Sequence, residues 1–371
     1  MDTASDPQTP RVAVVGAGIV GLCTAYAIAE RGAPVTVYES GVPGNGQSGG
    51  ESRIFRHAHD DPRLVAFARD SRAIWREWEE RLEVELVSAD GVVALGPTVA
   101  DRLAVLEEVD GVQAGSIDTE ELARRLPLLA GYSGPAMLDA GGGAIRTRAA
   151  IETLTAELDD SLVADEVISI RPTASGRVEV RAGGERTEHD RVVVCAGRGT
   201  GPLARAAGLS IPANLAAHVR ITFAVRGEPP ARLACLQDSS GAFGEVGIYA
   251  APVPGNHSYA VGLSQTVEVH EDGSLLDPDS LASLGERASD YVARGLPGLD
   301  PEPVEYRHCW VTDLPWSADG IAVWESEGTF FVAGHNLFKH APWLGRALAR
   351  AVLDDGLPSE LRPGARLGEP S

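Results

Sequence analysis

The feature that most restricts what this chain can fold into lies near its start. An apolar, β-branched run, Val12 to Val15, leads into Gly16-Ala17-Gly18-Ile19-Val20-Gly21. A helical stretch continues to Arg31, Gly32 closes it, and Val35-Thr36-Val37-Tyr38 ends on Glu39. Strand, glycine turn, helix, strand and terminal acid within about 30 residues make one strand–helix–strand unit. Gly16 permits the tight turn, Gly18 lets the backbone approach a phosphate, and Gly21 lets helix and strand pack closely. The N-terminus of the helix, read from Leu22, presents N–H groups and a partial positive charge to anionic oxygens. Glu39 stands where a carboxylate accepts from both hydroxyls of a ribose. The unit reads as a dinucleotide site, with a glycine turn and a solvated glutamate as the plain alternative. By itself it does not separate FAD from NAD.

Composition removes other classes. A formal net charge of -21 repels a phosphate backbone, so nucleic acid is not an expected partner. No apolar run reaches the length of a membrane span. Met1 to Pro10 has neither the basic start nor the apolar block of a secretory signal and is expected to be a short disordered arm. The four cysteines, Cys23, Cys195, Cys235 and Cys309, are widely spaced, which suits a cytoplasmic protein rather than a disulfide framework. Neither a CxxC pair nor a Cys/His cluster with zinc spacing occurs, so no metal is expected.

Nucleotide-type pieces recur along the chain. Leu162 to Ile170 reads as a strand, Val192 to Gly197 as a buried strand ending in small residues, and Phe330 to Gly334 as another, with a last helix from about Trp343. The fold expected is α/β: a Rossmann-like FAD-binding domain that is discontinuous (1–85, 145–212 and 300–371), and a substrate domain on a large antiparallel sheet (86–144 and 213–299).

Gly50-Glu51-Ser52-Arg53-Ile54-Phe55-Arg56-His57-Ala58 follows a loop of Gly, Pro, Asn and Ser. Two arginines in an otherwise apolar stretch are costly to bury without anions. Guanidinium groups there suit a pyrophosphate, a flavin carbonyl or a substrate carboxylate; ordinary surface arginines are the alternative. Lys339 is the only lysine in the chain and lies among apolar and aromatic residues in Gly334 to Pro342.

Together the fingerprint, Glu39, the Gly50–Ala58 run, Cys309 with Thr312, and Gly334 to Gly345 with Lys339 resemble the D-amino-acid-oxidase-like FAD-dependent oxidoreductases, in particular the branch of monomeric sarcosine oxidase and N-methyltryptophan oxidase. Tyr249 and Pro252 also fall on matching positions. The resemblance implies Arg53 beside the flavin ring and Arg56 with Lys339 on the substrate carboxylate. It implies cofactor contacts from Gly16, Gly18, Ile19, Val20, Gly21, Glu39, Ser48, Ser52, Val167, Ala196, Gly197 and Gly334, and assigns Tyr249 to the catalytic site. It further implies a thioether from Cys309 to the flavin 8α carbon, where a small buried thiol is the plain alternative. His57, His308, His335 and His340 are given no catalytic role, and Trp310, Trp316 and Trp343 suit either pocket walls or core. One departure stands out: the family places a lysine near flavin N5 at the position of Ala260 and a histidine at that of Ser264.

The function expected is oxidation of the C–N bond of a carboxylate-bearing amine by hydride transfer to FAD. An imine results, with oxygen as acceptor and hydrogen peroxide as by-product, in a monomer or homodimer. The rivals are an FAD-linked dehydrogenase with another acceptor, an NAD-dependent dehydrogenase, and a non-catalytic flavoprotein. The missing lysine at Ala260 supports amine oxidation better than fast use of oxygen, unless Arg53 or a histidine such as His308 compensates.

Overall fold

The computed structural model describes residues 9–370, so most of the arm expected over Met1 to Pro10 lies outside the described residues. The chain divides into two compact units: residues 1–48, 151–213 and 314–367, and residues 49–150, 214–313 and 368–371.

The first unit is built on six strands in the spatial order Ile321–Ser326, Thr329–Gly334, Arg191–Val194, Val12–Val15, Val35–Glu39 and Leu162–Ala164. Every pairing is parallel except the hairpin of the first two. The central strand Val12–Val15 is buried throughout, which is why it reads as a continuous apolar run rather than an alternating one. The helix Ile19–Glu30 is followed by Gly32 at φ +75, the left-handed conformation a glycine supplies after a helix end. Leu162 to Ile170 is two strands, not one. Leu162–Ala164 joins the main sheet, while Val167–Pro172 joins a separate three-stranded antiparallel sheet with Val178–Ala182 and Glu185–His189. The break falls at Asp165 and Glu166, where the Asp165 carboxylate accepts from the Glu166 amide at 2.8 Å, a local bond that competes with the ladder.

The last helix runs Leu337–Arg350 and starts six residues before the expected Trp343. Pro342 sits inside it. The ring removes one N–H from the ladder, yet the helix continues because it packs on the first helix. A Cβ on Gly345 would lie 2.6 Å from the Cys23 carbonyl.

In the second unit a nine-stranded sheet has the long strand Asn214–Val225 paired on both sides, with Ser258–Leu263 and with Leu299–Asp313. The sheet is antiparallel except where Cys235–Asp238 runs parallel to Val92–Leu95. A separate ribbon pairs Ser52–Phe55 with Gly143–Arg146. These two ladders put 49–85, 145–150 and 300–313 in this unit, although sequence pattern grouped them with the nucleotide pieces.

Alternation along Asn214–Val225 makes the two faces of the sheet unlike. Val219, Ile221 and Phe223, with Tyr259, Val261 and Leu263, enter one core with Leu284, Ala288, Tyr291 and Val292 of the helix Pro278–Gly295. His218, Arg220 and Thr222 alternate with them, in register with Cys309, Arg307 and Glu305 on one neighbouring strand. On the other neighbour, Gly262 pairs with Arg220 and Ala260 with Thr222. Among the described residues no helix is long and apolar enough to cross a membrane.

Candidate functional site

In the first unit the fingerprint is a backbone cradle. Gly16 has φ +99, and a Cβ there would lie 2.7 Å from the Cys195 carbonyl oxygen. A Cβ on Gly21 would lie 1.9 Å from the Gly16 carbonyl oxygen, so close packing of the helix on the turn needs hydrogen at that position. The Glu39 carboxylate accepts from the Ala17 amide at 2.8 Å with one oxygen and from the Gly41 amide at 2.9 Å with the other. Ser48 Oγ accepts from the Ile19 amide at 3.0 Å and would lie 3.2 Å from a Cβ on Gly18. Gly16, Gly18, Ile19, Gly21, Glu39 and Ser48 are thus gathered at one helix N-terminus, with buried Val20 in its first turn.

Ala196 joins them, since its Cα would lie 3.0 Å from the same Gly16 Cβ. Gly197 at φ +56 faces Gln47, whose Oε1 would be 2.5 Å from a Cβ there. Val167 is buried in the apolar cluster that contains Ala13, Val15 and Tyr38. Gly334, at φ +153, ends its strand against Gly320, whose carbonyl oxygen would lie 2.4 Å from a Cβ. Lys339 is only 3% exposed and lies in the first turn of the last helix, where its Nζ donates to the Asn336 carbonyl at 3.3 Å. The sequence reading had put Lys339 in a loop before the helix; the earlier helix start moves it into the turn itself.

Tyr249 and Cys309 are carried by the second unit's large sheet, with two arginines that sequence reasoning did not single out, and Arg53 by the separate ribbon. Arg220 is 5% exposed, and its Nη1 donates to the Ser52 carbonyl at 2.5 Å. Its guanidinium carbon lies 5.8 Å from the Tyr249 ring centroid. Gly262 lies between them in register and lets the Tyr249 ring cross the sheet, since a Cβ there would meet the ring at 2.6 Å. The Tyr249 hydroxyl is 3.2 Å from His218 Nδ1. Loss of water around that hydroxyl pushes its pKa up, opposed by the charge of Arg220.

Arg53 is half-buried and donates to the backbone carbonyls of Gly49 and Ser52. Burial first, and the like charge of Arg220 second, push it down to about 10, so it remains a cation at neutral pH. Cys309 is buried, unbridged, and close to both Arg53 and Tyr249. Ser52 is buried in the ribbon beside Arg53, and its hydroxyl has no hydrogen-bond partner. Arg53, Arg220, Thr222, Ala260 and Arg307 line one small cavity, which Arg56 does not join. Arg53 lies within the strand Ser52–Phe55, and Arg56 follows its end.

Arg220 had one legible signal, a charged residue in the middle of an otherwise apolar alternation, and it was masked by the abundance of arginine. His57 is fixed structurally: its amide and Nδ1 both meet the Asp139 carboxylate, at 2.7 and 2.9 Å. Trp310 and Trp316 donate to the carbonyls of Gly273 and Leu367, as packed indoles do.

The family description "FAD dependent oxidoreductase" matches residues 11–351. Among solved structures, NikD, an unusual amino acid oxidase essential for nikkomycin biosynthesis, is similar over 98% of both chains, at 21% identity and a TM-score of 0.81. L-proline dehydrogenase from P. horikoshii is similar over 96% of both chains, at 19% identity and 0.81. Glycine oxidase from Geobacillus kaustophilus is similar over 95% of this chain and 98% of that one, at 20% identity and 0.75. At such identities the likeness shows a shared fold.

Proposed function

The chain belongs to the family of FAD-dependent oxidoreductases, and from that premise we propose that it oxidises the C–N bond of a small carboxylate-bearing amine. The substrate class is an N-methyl, cyclic or primary amino acid, with oxygen as acceptor and hydrogen peroxide as by-product. The residues present fit the cofactor. A cradle closed to any Cβ at Gly16 and Gly21 admits a pyrophosphate against bare backbone, and the Glu39 carboxylate suits ribose hydroxyls. When bound, FAD supplies the hydride acceptor; orientation and charge come from the protein.

The observation that carries the substrate class is the position of Lys339. A cation in the first turn of a helix opposes the helix dipole, so a helix alone gives no reason for a lysine there. The one lysine of the chain is nonetheless buried in that turn, where ammonium and dipole together favour a carboxylate. Arg56 is the second cation we assign to that carboxylate. An amine that arrives neutral needs no strong base from the protein, and the histidines are accordingly left without that role. Cys309 is the residue we propose for a thioether to the cofactor; its burial beside Arg53 and Tyr249 supports this. Free cysteines throughout suit a cytoplasmic enzyme, working as a monomer or homodimer.

The test is an anaerobic screen of N-methyl, cyclic and primary amino acids for bleaching of the bound flavin, followed by oxygen-uptake measurements with those that bleach it. Bleaching by at least one class and release of peroxide are expected. Failure of every amino acid to bleach the flavin overturns the reading. Bleaching without oxygen uptake replaces the oxidase with a dehydrogenase.

A further inference from the structure

On the reading that Arg56 meets the substrate carboxylate, we propose that the buried His57–Asp139 pair is a positioning device for Arg56. It fixes the backbone from which that side chain leaves. The ribbon that carries Arg53 ends at Phe55, which pairs with Gly143, and residues 56–59 belong to no helix or strand. Arg56 is half-buried, while Phe55 before it and His57 after it are buried. Past the ladder the His57 amide turns to a side chain. It donates to Asp139 Oδ2 at 2.7 Å, and His57 Nδ1 lies 2.9 Å from Oδ1. With Phe55 held by the ribbon and His57 by Asp139, the planar peptide units on either side of Arg56 are both tied down. The direction in which its long, flexible side chain starts is set by that backbone.

Asp139 is itself tightly held. It is 2% exposed at the end of the strand Ala136–Asp139, and its Oδ1 also accepts from the Gly142 amide at 3.1 Å. A carboxylate only accepts, so Nδ1 carries the ring hydrogen and three N–H groups converge on one buried anion. Two glycines admit the arrangement. A Cβ on Gly141 would lie 3.0 Å from His57 Cε1, and one on Gly142 would lie 2.8 Å from the Phe55 carbonyl oxygen. From the helix Pro62–Leu82, buried Arg72 donates to the Gly141 carbonyl at 3.3 Å and to Glu79 at 3.0 Å, which anchors the same turn. A buried ionic network contributes little net stability compared with well-packed apolar side chains of the same size. What this one supplies is a single backbone path through residues 55–57, which a ligand contact from Arg56 requires.

The experiment is anaerobic stopped-flow reduction of the FAD-loaded protein by N-methylglycine, L-proline and glycine, which separates the Kd from the limiting rate of reduction. Arg56→Met sets the reference loss. His57→Leu should raise the Kd about tenfold, the scale of one charge-assisted hydrogen bond, with the limiting rate within about twofold of wild type. His57→Asn, whose side-chain amide keeps a donor near the place of Nδ1, should bind within about threefold of wild type. The double variant Arg56→Met/His57→Leu should bind no more weakly than Arg56→Met, because a residue that acts through another adds nothing once that other is gone. Asp139→Asn keeps the volume but turns an amide N–H onto a donor, and should reproduce His57→Leu. It carries the test if flavin content and thermal unfolding show that His57→Leu does not fold. Wild-type binding in either of these variants, with Arg56→Met weakened, overturns the proposal and leaves the amine-oxidation reading standing. So does a multiplied loss in the double variant. Wild-type binding in Arg56→Met removes the carboxylate assignment and the positioning role with it, and reduction by none of the three amino acids removes both as well.

Discussion

The two units present polar groups by opposite means. The first uses backbone: glycines that admit nothing larger than hydrogen, the amides of a helix N-terminus, and a carboxylate tied to two of its own amides. The second uses side chains: guanidinium groups carried on the polar face of a sheet whose other face is apolar core. Backbone recognition is fixed by local geometry and tolerates almost no change of residue. Side-chain recognition can be moved from strand to strand, and here a cation stands on Arg220 where the neighbouring strand carries Ala260. The first unit should therefore break under small changes, and the second should show graded losses.

The largest effect is expected at Gly21. A methyl group 1.9 Å from the Gly16 carbonyl must push the helix off the turn, so Gly21→Ala should abolish FAD retention and lower the melting temperature. Flavin absorbance per protein and thermal unfolding measure it, and full flavin content would break the contrast drawn here. Next in size are Lys339→Met and Arg56→Met, each expected to lower kcat/KM for carboxylate substrates about tenfold to a hundredfold with flavin retained. Normal kcat/KM in both variants would remove the carboxylate assignment. Cys309→Ser should turn a yellow acid precipitate into a colourless pellet under a yellow supernatant while the native variant still binds FAD. A wild-type pellet that is already colourless ends the covalent proposal and leaves cofactor binding to the backbone unit alone.

The smallest effect is expected from Ala260→Lys. An added cation speeds reduction of oxygen by stabilising the superoxide charge that develops. Arg53 and Arg220 already line the cavity at Ala260, so stopped-flow reoxidation should change by less than about tenfold. A much larger acceleration would show that those guanidiniums do not serve oxygen.

What the sequence disclosed follows the same division. Val12 to Glu39 was legible because each glycine answers to a neighbour a few residues away, and the structure finds the turn, helix and second strand where the pattern put them. The break at Asp165–Glu166 was hidden because two short apolar runs in different sheets look like one. The last helix starts earlier than expected, with Pro342 inside it, and packing against the first helix, through Gly345, carries it past the ring. Arg220 shows locally only as a charge within an apolar alternation, and its register with Gly262 and Arg307 appears in no local pattern.

The alternation along Asn214–Val225 also governs how the chain can go wrong. Sliding this strand by one residue against either neighbour would exchange its faces. Arg220 would then be driven into the cluster of Ile248, Tyr259 and Leu263, while Val219, Ile221 and Phe223 came out beside Arg53. A guanidinium among those side chains costs far more than a lost methylene, so the same residue that makes the polar face chemically useful also forbids the nearest misfolded pairing. Single-residue insertions or deletions in this strand should accordingly abolish folding, whereas a two-residue shift keeps every side chain on its own face.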